Sequence, residues 1–299
     1  MVNAGYVGRF APSPTGRLHM GSMLSAVASW CDARHAGGTW YVRMEDLDPP
    51  REVAGAASDI LRTLEAFGLH WDGPVMYQSG RHEAYAEALA QLLEQGRAFG
   101  CACTRKLLAG VTVYPGHCRS GLRAGQTPRS YRHAMASGVY GWRDSVQGSQ
   151  AFDAGDLGDF VIKRADGHWA YQLAVVVDDV AQGINAVVRG ADLLDSTPRQ
   201  IALRQALAPE APAVSWSHLP ILVNADGQKL SKQTLAAPVE AHKAPAILVA
   251  CLSLLGQPCA REEAVLDMAK SGDAAGILAA AAQGWEMARV PAAPIQWQG

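Results

Sequence analysis

No hydrophobic run in this sequence is long enough to span a bilayer. The longest apolar stretch, AILVACLSLL at 246–255, is about half of what a membrane helix needs. The opening residues MVNAGYVGRF lack the charged and apolar regions of a secretory leader, so a cytoplasmic protein with no membrane contact is expected. An excess of either charge is also missing. The chain has 26 basic and 28 acidic residues and a net charge of −2, so any polynucleotide must be met by a local patch rather than by a global field. Cysteine is sparse and uneven, with six residues of which Cys101, Cys103 and Cys118 are bunched, and this argues against a disulfide framework. No internal repeat occurs, and the Ala-rich AAGILAAAAQG reads as ordinary helix.

What remains is ample for a full hydrophobic core and room for two domains, since 49% of 299 residues are hydrophobic. A short extended run at 6–11 leads into the turn PSPTG, and a helix is predicted from about His19 with Met20, Leu24, Val27, Ala28 and Cys31 at helical spacing. TWYVRMED predicts a strand. Helices are expected over about 52–67 and 80–95. Strand alternating with helix is the pattern of a parallel sheet with right-handed crossovers. Residues 96–149, rich in Gly, Arg, Cys and Tyr, predict an irregular insertion. FVIKRADG and WAYQLAVVVDD around a turn predict a hairpin, and INAVVRGADLL a strand followed by a helix capped near Ser196. The residues after Lys232 predict helix.

The turn before the first helix is a candidate anion site. Backbone N–H groups at a helix start are unpaired, and the helix dipole adds partial positive charge. Pro12 and Pro14 stiffen the approach, Gly16 and Gly21 allow a ligand to press against backbone, and His19 can donate to a phosphate oxygen. Far downstream GQKLSKQ supplies Lys229 and Lys232 on a loop, suited to charge that develops on a triphosphate. Separately, the two motifs have plain alternatives: a common Pro-Gly turn and an exposed basic loop. The cysteine cluster suits tetrahedral zinc, and by donor chemistry alone His117 is the natural fourth ligand; buried free thiols are the alternative.

Together, HMGS (19–22) and KLSKQ (229–233) resemble the two signatures of the class I aminoacyl-tRNA synthetases. RFAPSPTGRLHMGS, YVRMEDLDPPR, CACT, YQLAVVVDD and VVRGADLLDSTPRQ are similar to the glutamyl branch, and most of all to its short paralogues. The resemblance runs from about Arg9 to Lys232. It implies an α/β, Rossmann-type class I synthetase catalytic domain over 1–235, with a zinc-bearing insertion at about 97–150 and a small helical C-terminal region over 236–299 without an anticodon-binding domain. It assigns ATP to Thr15, His19, Gly21, Lys229 and Lys232, with His19 and Lys232 catalytic. Glutamate falls to Arg9, Ala11, Ser13, Glu45, Tyr171 and Arg189. Glu45 would take the ammonium and Arg189, with Arg9, the distal carboxylate, because a guanidinium fork fits a carboxylate. A solvated strand end at Arg43–Asp48 and a core role for Tyr171 are the plain alternatives. The metal set becomes Cys101, Cys103, Tyr114 and Cys118, with His117 the rival to Tyr114.

The resemblance further implies structural Zn2+, Mg2+ accompanying ATP, and a monomer. The reaction implied is activation of L-glutamate without tRNA, then its transfer to queuosine in the anticodon loop of tRNA(Asp). Basic residues of the insertion, among them Arg97, Arg105, Lys106, Arg119, Arg123, Arg129, Arg132 and Arg143, are candidates for RNA phosphates. Two other readings are a truncated glutamyl-tRNA synthetase charging a 3′ end and a non-catalytic zinc and RNA-binding module. Ser22 stands where the first signature has its second His, Leu230 where the other has Met, and Gln233 where it ends in Ser.

Overall fold

The computed structural model describes residues 5–229 and 237–297. Strand β1 (Val7–Phe10) pairs in parallel with β2 (Thr39–Met44), which pairs with the short β3 (Met76–Tyr77). Beside β1 lies β9 (Ala186–Gly190), linked through Asn185, whose amide bonds the Val7 carbonyl at 3.1 Å while its side chain accepts from the Val7 amide at 2.8 Å. Strand β10 (Ser215–Leu219) pairs in parallel with β9. The parallel strands therefore run β3, β2, β1, β9, β10, and the winding reverses between β1 and β9. Open α/β sheets bind ligands at the carboxyl ends of the strands flanking such a reversal.

Helix α1 (Met20–His35) is buried on nearly every side, because the sheet covers one flank and the C-terminal helices the other. Those helices, α7 (Ala244–Leu254), α8 (Glu263–Ser271) and α9 (Ala274–Gln283), share their core with α1. Asp32 of α1 accepts hydrogen bonds from Tyr6 at 2.7 Å and from Trp285 at 3.0 Å, tying the first strand's approach and the segment after α9 to one carboxylate. Gly38 faces the Tyr6 backbone so closely that no Cβ would fit. The other helices are α2 (Ala56–Ala66), α3 (His82–Glu94), α4 (Ala154–Leu157), α5 (Tyr171–Ala181) and α6 (Thr197–Leu207). Two short parallel strands, β11 (Leu222–Val223) and β12 (Ile295–Gln296), pair with each other and bring the end of the chain back beside the segment that follows β10. No helix among the described residues is long and apolar enough to cross a membrane.

Three expectations need correction. WAYQLAVVVDD is not a second strand: after β8 (Phe160–Lys163) the turn is closed by one bridge, Lys163 to Trp169, with backbone bonds from Arg164 to His168 at 2.8 Å and from Ala170 to Ile162 at 3.1 Å, and the chain then enters α5. Leu173 to Val176, Asp178 and Asp179 are all buried, so the helical period was hidden in a continuous apolar run. Nor is the insertion irregular throughout. Strands β4 (Ala98–Cys101) and β5 (Ser130–His133) form an antiparallel sheet with β8, while β6 (Val139–Asp144) and β7 (Gly148–Asp153) form a hairpin that joins the main sheet alongside β10. Ser196, expected as a side-chain cap, is already helical and makes no capping bond, because a 3-10 segment at Ala191–Ser196 runs straight into α6.

Candidate functional site

A cavity of about 1160 Å³ opens at the carboxyl ends of β1, β2 and β9. Arg9, Ala11, Ser13, Thr15, His19, Gly21, Glu45, Tyr171, Arg189 and Lys229 all line it. Residues separated by as much as 220 positions in the chain thus meet in one place. Lys232 lies outside the described residues.

The wall from β1 to α1 is built by local chemistry. Gly16 takes φ 130°, a conformation that a side chain disfavours. His19 is the N-cap of α1: its Nδ1 accepts from the Ser22 amide at 3.3 Å, and Ser22 Oγ accepts from the His19 amide at 2.8 Å. This reciprocal capping box accounts for Ser22. In the neutral ring an accepting Nδ1 places the proton on Nε2, which makes His19 a donor at the cavity wall. Lys229 bonds Asp192 at 2.5 Å, while the return segment is fixed next to His19 by a bridge to Pro238. The residues described on either side of 230–236 therefore sit at this cavity.

The opposite wall carries the charges. Arg43 is fully buried and bonds Asp179 and Gln182, each at 2.7 Å, which excludes a solvated strand end. Asp179 also takes Arg9 Nε at 3.3 Å. Burial works against the Asp179 charge, yet Arg43 and Arg9 hold its carboxyl below the ordinary range. Glu45 is different. Its Oε1 is buried without a hydrogen-bond partner among the described residues, with Arg43 at 3.6 Å. Burial pushes its carboxyl up to about 6, only partly opposed by Arg43 and Arg9. An orphaned buried carboxylate oxygen is the signature of a missing donor.

The two arginines expected to hold a carboxylate differ in how they are occupied. Arg189 spends every donor on protein: His218 at 3.0 Å from Nε, Gln200 at 2.8 Å and Tyr171 at 3.3 Å from Nη1, Thr197 at 2.9 Å and the Leu193 carbonyl at 3.4 Å from Nη2. Arg9 is hydrogen-bonded only through Nε among the described residues, so its two Nη groups remain for a ligand in the cavity. His218, Asp144, Gln200 and Asp179 were not foreseen from the sequence. Asp178 was missed as well: it is fully buried and takes Tyr85 at 2.7 Å, Arg81 and Gln78 at 2.9 Å, fixing α5 against α3.

The second cluster lies in the insertion. Cys101, Cys103 and Cys118 hold their Sγ atoms within 4.8 Å of one another, with Cys103 and Cys118 3.7 Å apart. Tyr114 Oη lies 3.5 Å from Cys101 and 3.7 Å from Cys103. Tetrahedral zinc with thiolates at about 2.3 Å and an oxygen at about 2.0 Å requires S···S near about 3.8 Å and S···O near about 3.5 Å, so this set fits. His117 is exposed and packs edge-on to Tyr114 at a centroid distance of 6.3 Å, outside the group of converging donors. The Cys101 thiol, despite burial, is drawn down to about 7 by hydrogen bonds that include Tyr114 and Arg132, whereas burial and its neighbours push Cys103 up to about 11. Of the basic residues considered for RNA, Arg119 is committed to Asp159 at 2.7 Å and Arg132 to the Asp159 carbonyl and the face of Tyr114.

Comparison with known proteins bears on both clusters. The family model described as tRNA synthetases class I (E and Q), catalytic domain, matches residues 6–111 and 122–288; the unmatched stretch carries Tyr114, His117 and Cys118. A protein of Chromobacterium violaceum named glutamyl-Q tRNA(Asp) synthetase is 51% identical over 304 residues, covering 99% of each chain. A protein of the same name from Dechloromonas aromatica is 52% identical over 300 residues, covering 97% of each. Among solved structures, a glutamate tRNA ligase from Elizabethkingia meningosepticum in complex with its amino acid superposes with a TM-score of 0.80 at 23% identity, over 98% of this chain and 67% of that one. At that identity the likeness speaks for the fold.

Proposed function

Because this chain belongs to the class I tRNA synthetases of the E and Q type, and is therefore a synthetase-like ligase, we propose that it activates L-glutamate with ATP and passes the glutamyl group to a tRNA. The observation that carries this reading is the pairing, in one cavity, of a buried Glu45 carboxylate whose Oε1 has Arg43 at 3.6 Å but no hydrogen bond among the described residues with an open guanidinium at Arg9. An amino acid with an acidic side chain satisfies both. Glu45 receives the ammonium, the Arg9 Nη groups receive the side-chain carboxylate, and Tyr171 with Arg189 closes the pocket. Selectivity against an uncharged analogue follows, since a buried charge left unmatched costs several kcal/mol.

The nucleotide occupies the opposite wall, with Mg2+ accompanying its phosphates. His19 donates from Nε2 beside the N-terminus of α1, Thr15, Gly21 and Lys229 complete the cradle, and Lys232 is the second lysine assigned to the phosphates. The α-carboxylate of glutamate attacks the α-phosphorus, a P–O bond forms and pyrophosphate leaves. The acceptor hydroxyl then attacks the adenylate carbonyl and AMP leaves. Positioning and charge stabilisation suffice, with no covalent enzyme intermediate.

The acceptor proposed is a ring hydroxyl of queuosine in the anticodon loop of tRNA(Asp), and the first step proceeds without tRNA. Support comes from the names of the relatives at about half identity across nearly the whole chain. We place the protein in the cytoplasm as a monomer, with 1–235 catalytic and 236–299 a helical region that buttresses α1. The deciding experiment incubates the protein with labelled glutamate, ATP and total tRNA and maps the label. A base-labile ester on the queuosine nucleotide, together with glutamate-dependent ATP–pyrophosphate exchange in the absence of tRNA, is expected. Label at a 3′ terminal adenosine would overturn the acceptor assignment, and no exchange at all would leave only a binding module.

Cys101, Cys103, Cys118 and Tyr114 are proposed to hold structural zinc, which pins the segment between β4 and β5 but takes no part in catalysis. About one zinc per chain is expected by elemental analysis. Cys103→Ser should lose the metal and lower the melting temperature, and Tyr114→Phe should retain zinc but release it faster to a chelator. Full retention by the Cys103 variant would refute the assignment.

A further inference from the structure

Behind the cavity lies a buried polar chain that the reaction does not use. Asp144, at the end of β6, and His218, in the middle of β10, are both wholly inaccessible, and His218 Nδ1 meets Asp144 Oδ2 at 2.5 Å. The other face of the imidazole, Nε2, receives Arg189 Nε–H at 3.0 Å and lies 3.1 Å from Thr197 Oγ1. The remaining oxygen of Asp144, Oδ1, is saturated by three backbone amides: Val146 at 3.0 Å, Gln147 at 2.9 Å and His218 at 3.0 Å. We propose that Asp144 and His218 are positioning residues for glutamate, a dyad that fixes the imidazole tautomer and thereby the plane of the Arg189 guanidinium behind Tyr171.

The hydrogen-bond inventory forces the assignment. An arginine Nε is only ever a donor, so Nε2 must accept, and the single proton of a neutral imidazole must then sit on Nδ1, where Asp144 receives it. Burial and the nearby Arg189 keep the ring from ionising, with Asp144 opposing, and burial likewise opposes Asp144 while its hydrogen bonds draw that carboxyl down to about 2. A proton on both nitrogens would set two donors 3.0 Å apart. The guanidinium is thus held edge-on from behind, with Nη1 turned toward Tyr171 at the cavity. Because Asp144 simultaneously caps the turn from β6 to β7, the hairpin that leaves the insertion and the amino-acid pocket share one carboxylate.

The inference rests on the cavity being the glutamate pocket, and its test separates the two. In Asp144→Asn, Oδ1 keeps its three backbone amides, so the new NH2 must face Nδ1. The imidazole proton is driven to Nε2, donor against donor with Arg189, much as an Asp→Asn change inverts the tautomer in a serine protease triad. Glutamate-dependent ATP–pyrophosphate exchange is expected to show KM for glutamate raised about 10- to 100-fold, with KM for ATP unchanged and kcat within about threefold. His218→Gln places an acceptor where Nε2 was and should keep KM near the wild-type value, whereas His218→Asn reaches only Asp144 and should behave like Asp144→Asn. This pair decides the matter if Asp144→Asn fails to fold. Unchanged glutamate KM in Asp144→Asn and His218→Asn, or losses shared equally by ATP and tracking the melting temperature, would overturn the dyad's role. Absence of glutamate-dependent exchange in the wild type would instead overturn the pocket itself.

Discussion

Replacing Glu45 by glutamine is expected to cut glutamate activation by at least about 100-fold while making the protein more stable at neutral pH. The two effects have one origin. The Glu45 carboxyl is pushed by burial from the usual 4.5 up to about 6, which means that its charge is held in place at a cost of about 2 kcal/mol. A carboxyl whose folded pKa exceeds its unfolded value binds more protons when folded, so stability declines as pH rises from about 4.5 through about 6, and the penalty is complete above that. Melting temperatures of wild type and Glu45→Gln should coincide near pH 4 and diverge at pH 7.5 in favour of the variant. Activity moves the other way: a neutral amide offers the ammonium no counter-charge, and kcat/KM for glutamate should fall about 10²- to 10³-fold, with ATP binding intact. In the wild type, glutamate affinity should itself weaken as pH drops through about 6, because the free site protonates there. A variant less stable at pH 7.5, or one that still binds glutamate normally, would contradict the assignment of Glu45.

Residues near one another in the chain were the legible ones. The turn at 12–16 announced itself through proline and glycine, and α1 through its apolar period, so the junction proposed as an anion site followed from local rules. Glu45 and Arg189 could be found because each stands at the carboxyl end of a recognisable strand. What escaped was set by contacts across long separations. His218 meets Asp144 over 74 positions and Arg43 meets Asp179 over 136, and nothing local in SWSHLP or AVVVDD distinguishes a buried partner from a surface residue. Helix α5 was read as a strand for the same reason: its Val-rich face is buried between layers, and tertiary burial removed the polar side whose spacing reveals a helix. The metal group shows a third case. Spacing identified the three thiols; donor chemistry alone favoured an imidazole, whereas the family resemblance pointed to Tyr114, whose hydroxyl the three-dimensional arrangement turns toward the thiols while His117 stays at the surface.

Arg9 and Arg189 should prove opposite in kind. Arg9→Met keeps an apolar stem of similar length and leaves Asp179 paired with Arg43 at 2.7 Å, so the melting temperature should change little. Glutamate binding should nonetheless collapse by about 10²- to 10³-fold, the cost of burying the substrate's side-chain carboxylate without its charged partner. Removing Arg9 also withdraws a charge that lowers the Glu45 pKa, so the pH below which the remaining binding fails should move upward. Arg189→Met strips partners from His218, Gln200, Thr197, Tyr171 and the Leu193 carbonyl at once, most of them buried. Each unsatisfied buried group costs about 1–3 kcal/mol, and the expected result is a fall in melting temperature of several degrees, larger than for any other single change at the site. Calorimetric titration of glutamate and thermal melts on the two variants provide the check. If Arg189→Met is as stable as the wild type and Arg9→Met binds glutamate unimpaired, the division between an open guanidinium and a fully committed one is wrong, and the carboxylate sits at the other arginine.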